Sequence, residues 1–261
     1  SSWHQQIQSV FASAEVGWNR MLYLTLTARN DWDSALANTN KLSFFYPSAG
    51  LSFVVSELFD SPVALPYLKV RASWSEVGSA PSVGLTTEVL KYNEQTDGYA
   101  YPTTRYNDNL KPEKTRSWEL GLNAKFVEGR INFDFTWYKS NTFNQTFYIP
   151  ISGTSVYGNY PVQAGNVQNA GVEIALGYSD SYANDKVHFS TNFTFTHNQN
   201  KTVKLVDDAM ENGYLPKGTL GISGGPSILL TEGGTMGDLY TRYRLRQSPN
   251  GYIWQNGMGE V

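Results

Sequence analysis

The chain has 261 residues, a formal net charge of -3, no cysteine and 16% charged residues. A near-neutral balance lacks the basic footprint of a nucleic-acid binder, and the absence of cysteine excludes a disulfide framework, a thiolate metal site and a cysteine nucleophile. With 23 Gly, 7 Trp, 17 Tyr and 13 Phe, the composition suits strands and turns, in one large all-β domain or two ordinary ones. No run of about eighteen apolar residues is present to form a membrane helix, although a membrane barrel shows none. The opening SSWHQQIQSVF has no basic start, apolar stretch and small-residue cleavage site of a signal peptide.

In chain order, Gln5 to Glu15 alternates poorly and is read as a first strand. Met21 to Asn30 alternates well, with Leu22, Leu24, Leu26 and Ala28 opposite Tyr23, Thr25, Thr27 and Arg29. Ser48 to Glu57 sets Ala49, Leu51, Phe53 and Val55 against Ser48, Gly50, Ser52 and Ser56. Tyr67 to Ser75 sets Leu68, Val70, Ala72 and Trp74 against Lys69, Arg71, Ser73 and Ser75. The segment Leu110 to Lys139 is the clearest. Trp118, Leu120, Leu122, Ala124 and Phe126 share one face, and after Val127-Glu128-Gly129 the pattern resumes with Ile131, Phe133, Phe135 and Trp137, which predicts a hairpin. Each arm is about ten residues, the length with which a tilted strand crosses a bilayer. Further strands are expected over Asn169 to Tyr178, Val187 to Phe195 and Asp238 to Arg246, giving about nine strands and no helix.

The predicted connections alternate in length. Val16 to Arg20, Glu57 to Pro66, Val127 to Gly129 and Ser179 to Lys186 are short. Asp31 to Pro47, Val77 to Arg116, Ser140 to Gln168 and Asn198 to Gly234 are long. In an up-and-down antiparallel sheet this gathers short turns at one end and long loops at the other, as in an outer-membrane barrel. The apolar faces carry Trp74, Trp118, Phe126 and Trp137 near their ends, which suits interfacial girdles. The polar faces carry Arg71, Glu119, Asp134 and Glu173 at mid-strand, where a watery lumen accepts charge. On this reading Glu119, Lys125, Arg130 and Asp134 face the lumen and Trp118 and Trp137 lie near the outer interface, whereas a solvent-exposed Leu120 with Phe133 buried against a second sheet would mark a soluble sandwich.

Several segments carry a family resemblance. Leu110-Lys111-Pro112-Glu113-Lys114-Thr115, with the hairpin that follows and its Trp137-Tyr138-Lys139 end, resembles the C-terminal barrel half of SusC/RagA-type TonB-dependent transporters. Arg29-Asn30-Asp31-Trp32-Asp33-Ser34, Tyr46-Pro47-Ser48 with Ser56-Glu57-Leu58-Phe59, Leu68-Lys69-Val70-Arg71-Ala72-Ser73 with Gly78, and Asn166 to Glu173 resemble further elements in the family's order. So do Gly237-Asp238-Leu239-Tyr240 and Gly251-Tyr252-Ile253. Departures are conservative: Tyr46 where Phe is usual, Phe53 for Trp, Gln168 at an often basic position, and Asn250 before Gly251.

The resemblance implies an all-β fold, a transmembrane antiparallel up-and-down barrel segment contributing about nine strands to a 22-stranded barrel. Residues 1–261 would then be an internal barrel fragment, with plug, signal peptide and terminal strands outside it. It further implies TonB-energised import of oligomeric nutrients, glycans or peptides, across the outer membrane of a Bacteroidetes-like Gram-negative cell. A SusD-like surface lipoprotein would be the partner, with TonB contacted through a missing N-terminal region. Neither cofactor nor metal is implied. The alternatives are a TonB-dependent receptor for a small chelate or vitamin, and a soluble β-sandwich that binds carbohydrate.

Tyrosines crowd the predicted long loops: Tyr92, Tyr99, Tyr101 and Tyr106 in one, Tyr148, Tyr157 and Tyr160 in the next. Flat apolar faces with polar tips suit stacking on sugars or gripping peptides, so these seven are the candidate substrate contacts; packing of the loops against one another is the structural alternative. Enzyme signals fail. Gly221-Ile222-Ser223-Gly224-Gly225 fits G-x-S-x-G but has no following His. His4, His188 and His197 lack ligand spacing, and Asp31 with Asp33 lacks the Gly and Glu of a calcium loop. Asp207, Asp208 and Glu211 read as a solvated cluster that could also bind a cation.

Overall fold

The computed structural model describes residues 4–58, 64–95, 97–151, 155–182, 186–204, 219–221, 227–229 and 232–240. Thirteen strands follow in chain order: β1 Ile7–Trp18, β2 Leu22–Asp33, β3 Ser43–Val54, β4 Tyr67–Ser79, β5 Lys91–Asn93, β6 Gly98–Ala100, β7 Glu113–Phe126, β8 Ile131–Pro150, β9 Asn159–Tyr182, β10 Val187–Lys204, β11 Thr219–Gly221, β12 Ser227–Leu229 and β13 Leu239–Tyr240. Eight of them form one antiparallel sheet in the order β1-β2-β3-β4-β7-β8-β9-β10. β5 and β6 make a two-stranded ribbon, and β11, β12 and β13 a small separate sheet. Among the described residues there is no α-helix, only single 3-10 turns at Ser34–Leu36 and Val55–Leu58. The all-β, antiparallel, consecutively wound architecture is the expected one. The ninth expected strand, Asp238 to Arg246, falls mostly outside the described residues; Leu239–Tyr240 pairs with β12.

Register explains the sidedness. Leu122 of β7 lies between Val70 of β4 and Phe135 of β8, and Leu120 between Ala72 and Trp137. Phe135 in turn faces Ile174 of β9, which faces Phe195 of β10. On the other side Val70 faces Phe53 of β3, which faces Leu22 of β2, which faces Trp18 of β1. Period-two alternation therefore merges into one apolar band across all eight strands. From Trp118 to Phe126 at about 3.4 Å per residue and a tilt of about 40°, the band is roughly 21 Å tall, close to the lipid-facing belt of a membrane barrel.

The sheet is a single layer. Among the described residues no second sheet is stacked on it, and the band stays uncovered: Leu120 is 51% exposed and Trp118 53%. Phe133 is half-buried with no second sheet against it among the described residues, which is not the arrangement of a sandwich. The buried apolar side chains other than Met21 and Ala124, namely Ala35, Leu36, Leu85, Leu110 and Val167, all sit at the end with the longer connections. The only protein-filled core among the described residues is therefore above the band, not behind it.

Two tight hairpins close the opposite end. Asn19 and Arg20 (φ 49 and 55) and Val127 and Glu128 (φ 51 and 56) adopt the left-handed conformation. Paired left-handed residues match the right-handed twist of flanking strands, and Gly129 at φ 86 completes the second turn.

Connection lengths differ from the expectation in two places. The segment Ser140 to Gln168, expected as a long loop, is mostly strand: β8 has 20 residues and β9 has 24, and they stay paired to Pro150↔Asn159. Beyond Trp137 the apolar alternation that signals a strand disappears while the backbone ladder continues. Likewise β2 and β3 extend to Asp33 and from Ser43, leaving the link 34–42 shorter than 55–66, the supposedly short one. Among the described residues the long excursion at the loop end is 80–112; most of the expected loop Asn198 to Gly234 lies outside them.

Candidate functional site

The polar face of the sheet is held by side chains that cross strands. Arg71 on β4 pairs with Gly121 on β7, which pairs with Thr136 on β8. A Cβ on Gly121 would stand 2.7 Å from Arg71 Cγ, so only glycine lets the arginine pass. Having crossed, Arg71 donates to both carboxylate oxygens of Asp134 at 3.0 and 3.1 Å and to the Thr136 hydroxyl at 2.6 Å. Asn123 donates to Asp134 at 3.0 Å, and Glu119 stands 3.7 Å from the Arg71 Nε. The same device recurs at Gly171, over which Tyr138 reaches from β8 to donate to Asn198 on β10 at 3.2 Å. At the upper end of β2 and β3, Asp31 accepts from Arg29 at 2.7 Å and from Tyr46.

Of the four charges expected on this face, Glu119 and Asp134 enter the lattice and Lys125 lies over the Tyr67 ring, 5.7 Å from its centroid. Arg130 does not join them. Placed at the turn, it reaches Glu128 and Asp180, each at 3.4 Å.

Above the band, the excursion 80–112 is fastened to its neighbours. Thr86 donates to the Ala35 carbonyl at 3.0 Å beside the buried Leu36. Gly158 and Asn159 N–H groups donate to Thr103 O at 2.7 and 3.2 Å, and Arg105 N–H to Asn159 O at 2.9 Å. Lys111 N–H donates to Gln163 Oε1 at 2.8 Å while Gln163 Nε2 donates back to Lys111 O at 2.5 Å. The loop end is thus a built cap supported by the β8–β9 extension.

The seven candidate tyrosines divide into groups. Tyr101 and Tyr157 meet edge to face with centroids 5.9 Å apart; Tyr157 donates to Glu88, and Arg105 lies 5.6 Å over the Tyr160 ring. The Glu88 carboxylate, accepting that bond, pushes the Tyr157 hydroxyl up to about 12, with desolvation adding to it. Tyr92 and Tyr99 face one another across the β5–β6 ribbon, centroids 5.5 Å apart, and Tyr92 donates to Asp97, which raises its pKa. Tyr106 and Tyr148 make no ring contact with the other five among the described residues. Tyr148 and Tyr160 stand on β8 and β9 rather than in a loop.

Glu88 and Arg105 were not singled out from the sequence; isolated charges in a long polar excursion carry no periodic signal. The Arg71–Gly121 crossing was equally hidden, because it needs the register of three strands.

Ser181 Oγ and His188 Nδ1 are 2.8 Å apart on exposed β9 and β10 positions, with no third group aligned. Asp33 accepts from Ala35 N–H at 2.8 Å and caps its turn instead of opening a calcium loop. Among the described residues no cluster of His, Cys, Asp or Glu fits a metal ion. The G-x-S-x-G serine and the Asp207, Asp208, Glu211 cluster lie outside the described residues.

Comparison with known proteins converges on the same architecture. TonB-dependent receptor P3 of Formosa agariphila is 28% identical over 252 residues, covering 90% of this chain and 24% of its own. TonB-dependent receptor SusC of Bacteroides thetaiotaomicron is 29% identical over 216 residues, covering 77% and 21%. The chain thus spans about a quarter of the length of these relatives. In fold it matches the RagAB peptide transporter at TM-score 0.73 and 19% identity, covering 88% of this chain and 25% of that one. The siderophore receptor PirA from Pseudomonas aeruginosa gives 0.51 at 17% identity, covering 74% and 34%. The family described as TonB dependent receptor-like, beta-barrel matches residues 1–256, and the chain belongs to it.

Proposed function

We propose that this chain is a wall segment of an outer-membrane, TonB-energised importer of oligomeric nutrients, glycans or peptides, whose apolar band meets lipid and whose charged lattice lines the aqueous path. The observation that carries the reading is the two-sidedness of one uncovered sheet, apolar across eight strands on one face and bridged by Arg71, Glu119, Asn123 and Asp134 on the other. Both edges support a larger barrel. β1 and β10 are exposed along nearly their whole length and display Phe11, Trp18, Phe189 and Phe193, an arrangement that further strands would cover. The plug, the TonB contact and the remaining strands then lie in the rest of the protein.

The seven tyrosines are the proposed substrate contacts, with a SusD-like lipoprotein closing the barrel above them. Tyr99 at 73% and Tyr101 at 56% are the most exposed of the set and have the most face to offer a ring or a peptide plane. The test is uptake of labelled oligosaccharides, oligopeptides and ferric chelates by cells expressing the full-length protein, with and without TonB and the lipoprotein. Tyr99→Ala and Tyr101→Ala should reduce uptake of one oligomer class at unchanged surface abundance. Uptake of a chelate alone, or import independent of TonB, would refute the reading.

A further inference from the structure

The apolar face does not stay apolar to its upper end. At Trp74 and Trp118, cross-strand neighbours with centroids 6.3 Å apart, it changes character. One pair higher on the same face stand Glu76 and Arg116, and one above that Gly78 and Lys114. Lys139 lies beside Trp118 on β8. At about 3.4 Å per residue and a tilt of about 40°, Arg116 sits roughly 5 Å and Lys114 roughly 10 Å above the Trp118 level, which spans the headgroup layer of a bilayer.

The cations there are arranged by contacts within the sheet. Glu76, only 9% exposed, accepts from Arg116 at 2.6 and 2.8 Å and from Lys114 at 2.8 Å. The Arg116 guanidinium also lies over Phe143, 5.8 Å from its centroid. Lys139 has no ion pair among the described residues. One carboxylate therefore gathers two cations and a third stands beside them, leaving an excess of positive charge facing outward. Directly below, Leu51, Phe53, Val70, Ala72, Leu120 and Leu122 are among the residues that line an open, largely apolar groove.

We infer that Lys114, Arg116 and Lys139 form a binding site for the phosphorylated headgroup of an outer-leaflet glycolipid, with an acyl chain in the groove around Ala72. Three observations favour this occupant: net positive charge, a tryptophan pair at the depth where chains give way to headgroups, and an apolar groove continuous below. Arg116 offers a planar fork suited to phosphate and Lys114 and Lys139 mobile ammonium groups. The inference rests on the apolar band being lipid-facing, which recovery of the protein in the outer-membrane fraction checks separately.

The test is binding of bis-phosphorylated lipid A, and of the same lipid without its phosphates, to the detergent-purified full-length protein by native mass spectrometry. Wild type should prefer the phosphorylated lipid by about tenfold or more, and Lys114→Gln/Arg116→Gln/Lys139→Gln should abolish the preference. Lys139→Gln alone, which leaves the Glu76 contacts intact, should lower it by about fivefold, the effect of one cation near a charged surface. Glu76→Gln should raise it by a similar factor, because it releases two cations, a gain that a purely structural role for the cluster does not produce. Equal binding of the two lipids by wild type overturns the inference. So does a triple variant that keeps the preference, or one that loses only the protein partner above the barrel.

Discussion

Replacing Gly121 with alanine isolates the strand-crossing device. Gly121 has an ordinary extended backbone, so alanine is compatible with the strand itself, and the three atoms nearest the new methyl all belong to Arg71. With the Cβ 2.7 Å from Arg71 Cγ, the arginine stem must move, and its bonds to Asp134 and Thr136 at 3.0, 3.1 and 2.6 Å are lost. Hydrogen bonds to charged groups are each worth about 1.5–3 kcal/mol when protected from solvent. Here Arg71 and Asp134 are 31% and 36% exposed, and after discounting for water the loss is about 1–2 kcal/mol. In an Arg71→Ala background those closest contacts are gone and the same methyl should help by about 0.5 kcal/mol, since glycine weakens strands. The cycle should thus show a coupling of roughly 2 kcal/mol between the two sites. Urea unfolding of the full-length barrel in lipid vesicles, followed by tryptophan fluorescence, measures it. A coupling below about 0.5 kcal/mol would refute the claim that Gly121 is a passage for Arg71.

The band and the cap make further predictions. Leu122→Arg, near mid-height of the band, should destabilise the inserted barrel by about 2–4 kcal/mol, whereas Ser73→Arg on the polar face beside Glu119 should change it by less than about 1 kcal/mol, both read by the same urea titration. Leu36→Ala, at 0% exposure, should cost the cap about 2–3 kcal/mol and expose 80–112 to limited proteolysis while the strands stay protected. Tyr157 has a folded pKa of about 12, above its usual 10, so the stability from its bond to Glu88 is fully present below pH 10 and lost as pH rises towards 12. Tyrosinate absorbance should therefore show a late ionisation step that Tyr157→Phe removes and Glu88→Gln moves to lower pH.

What the sequence made legible follows from where the two faces of the sheet differ in polarity. Between Trp118 and Phe126, and between Ile131 and Trp137, one side is apolar and the other polar, so composition alternates and both strands and their hairpin can be read directly. Above Trp137 the constraint lapses. Ser140 to Thr146 and Val162 to Gln168 carry only scattered apolar residues with no period-two alternation, and backbone pairing, invisible in composition, makes them strand. The loop tyrosines were countable, but their grouping was not. Tyr101 and Tyr157 meet because Gly158 and Asn159 are tied to Thr103 by main-chain bonds between segments far apart in sequence. Arg130 was misplaced for a related reason: alternation assigns a face only inside a strand, and this residue precedes β8.

The tall β8–β9 hairpin has a mechanical consequence. The excursion 80–112 is tied to it at Thr103 with Gly158, at Arg105 with Asn159 and at Lys111 with Gln163. A loop riveted at three heights to a stiff two-stranded post cannot swing as a free flap. Any bending of the post must occur where β8 leaves β7 and β9 leaves β10, above Phe143 and Asn166, and must carry Tyr101, Tyr157 and Tyr160 together as one jaw.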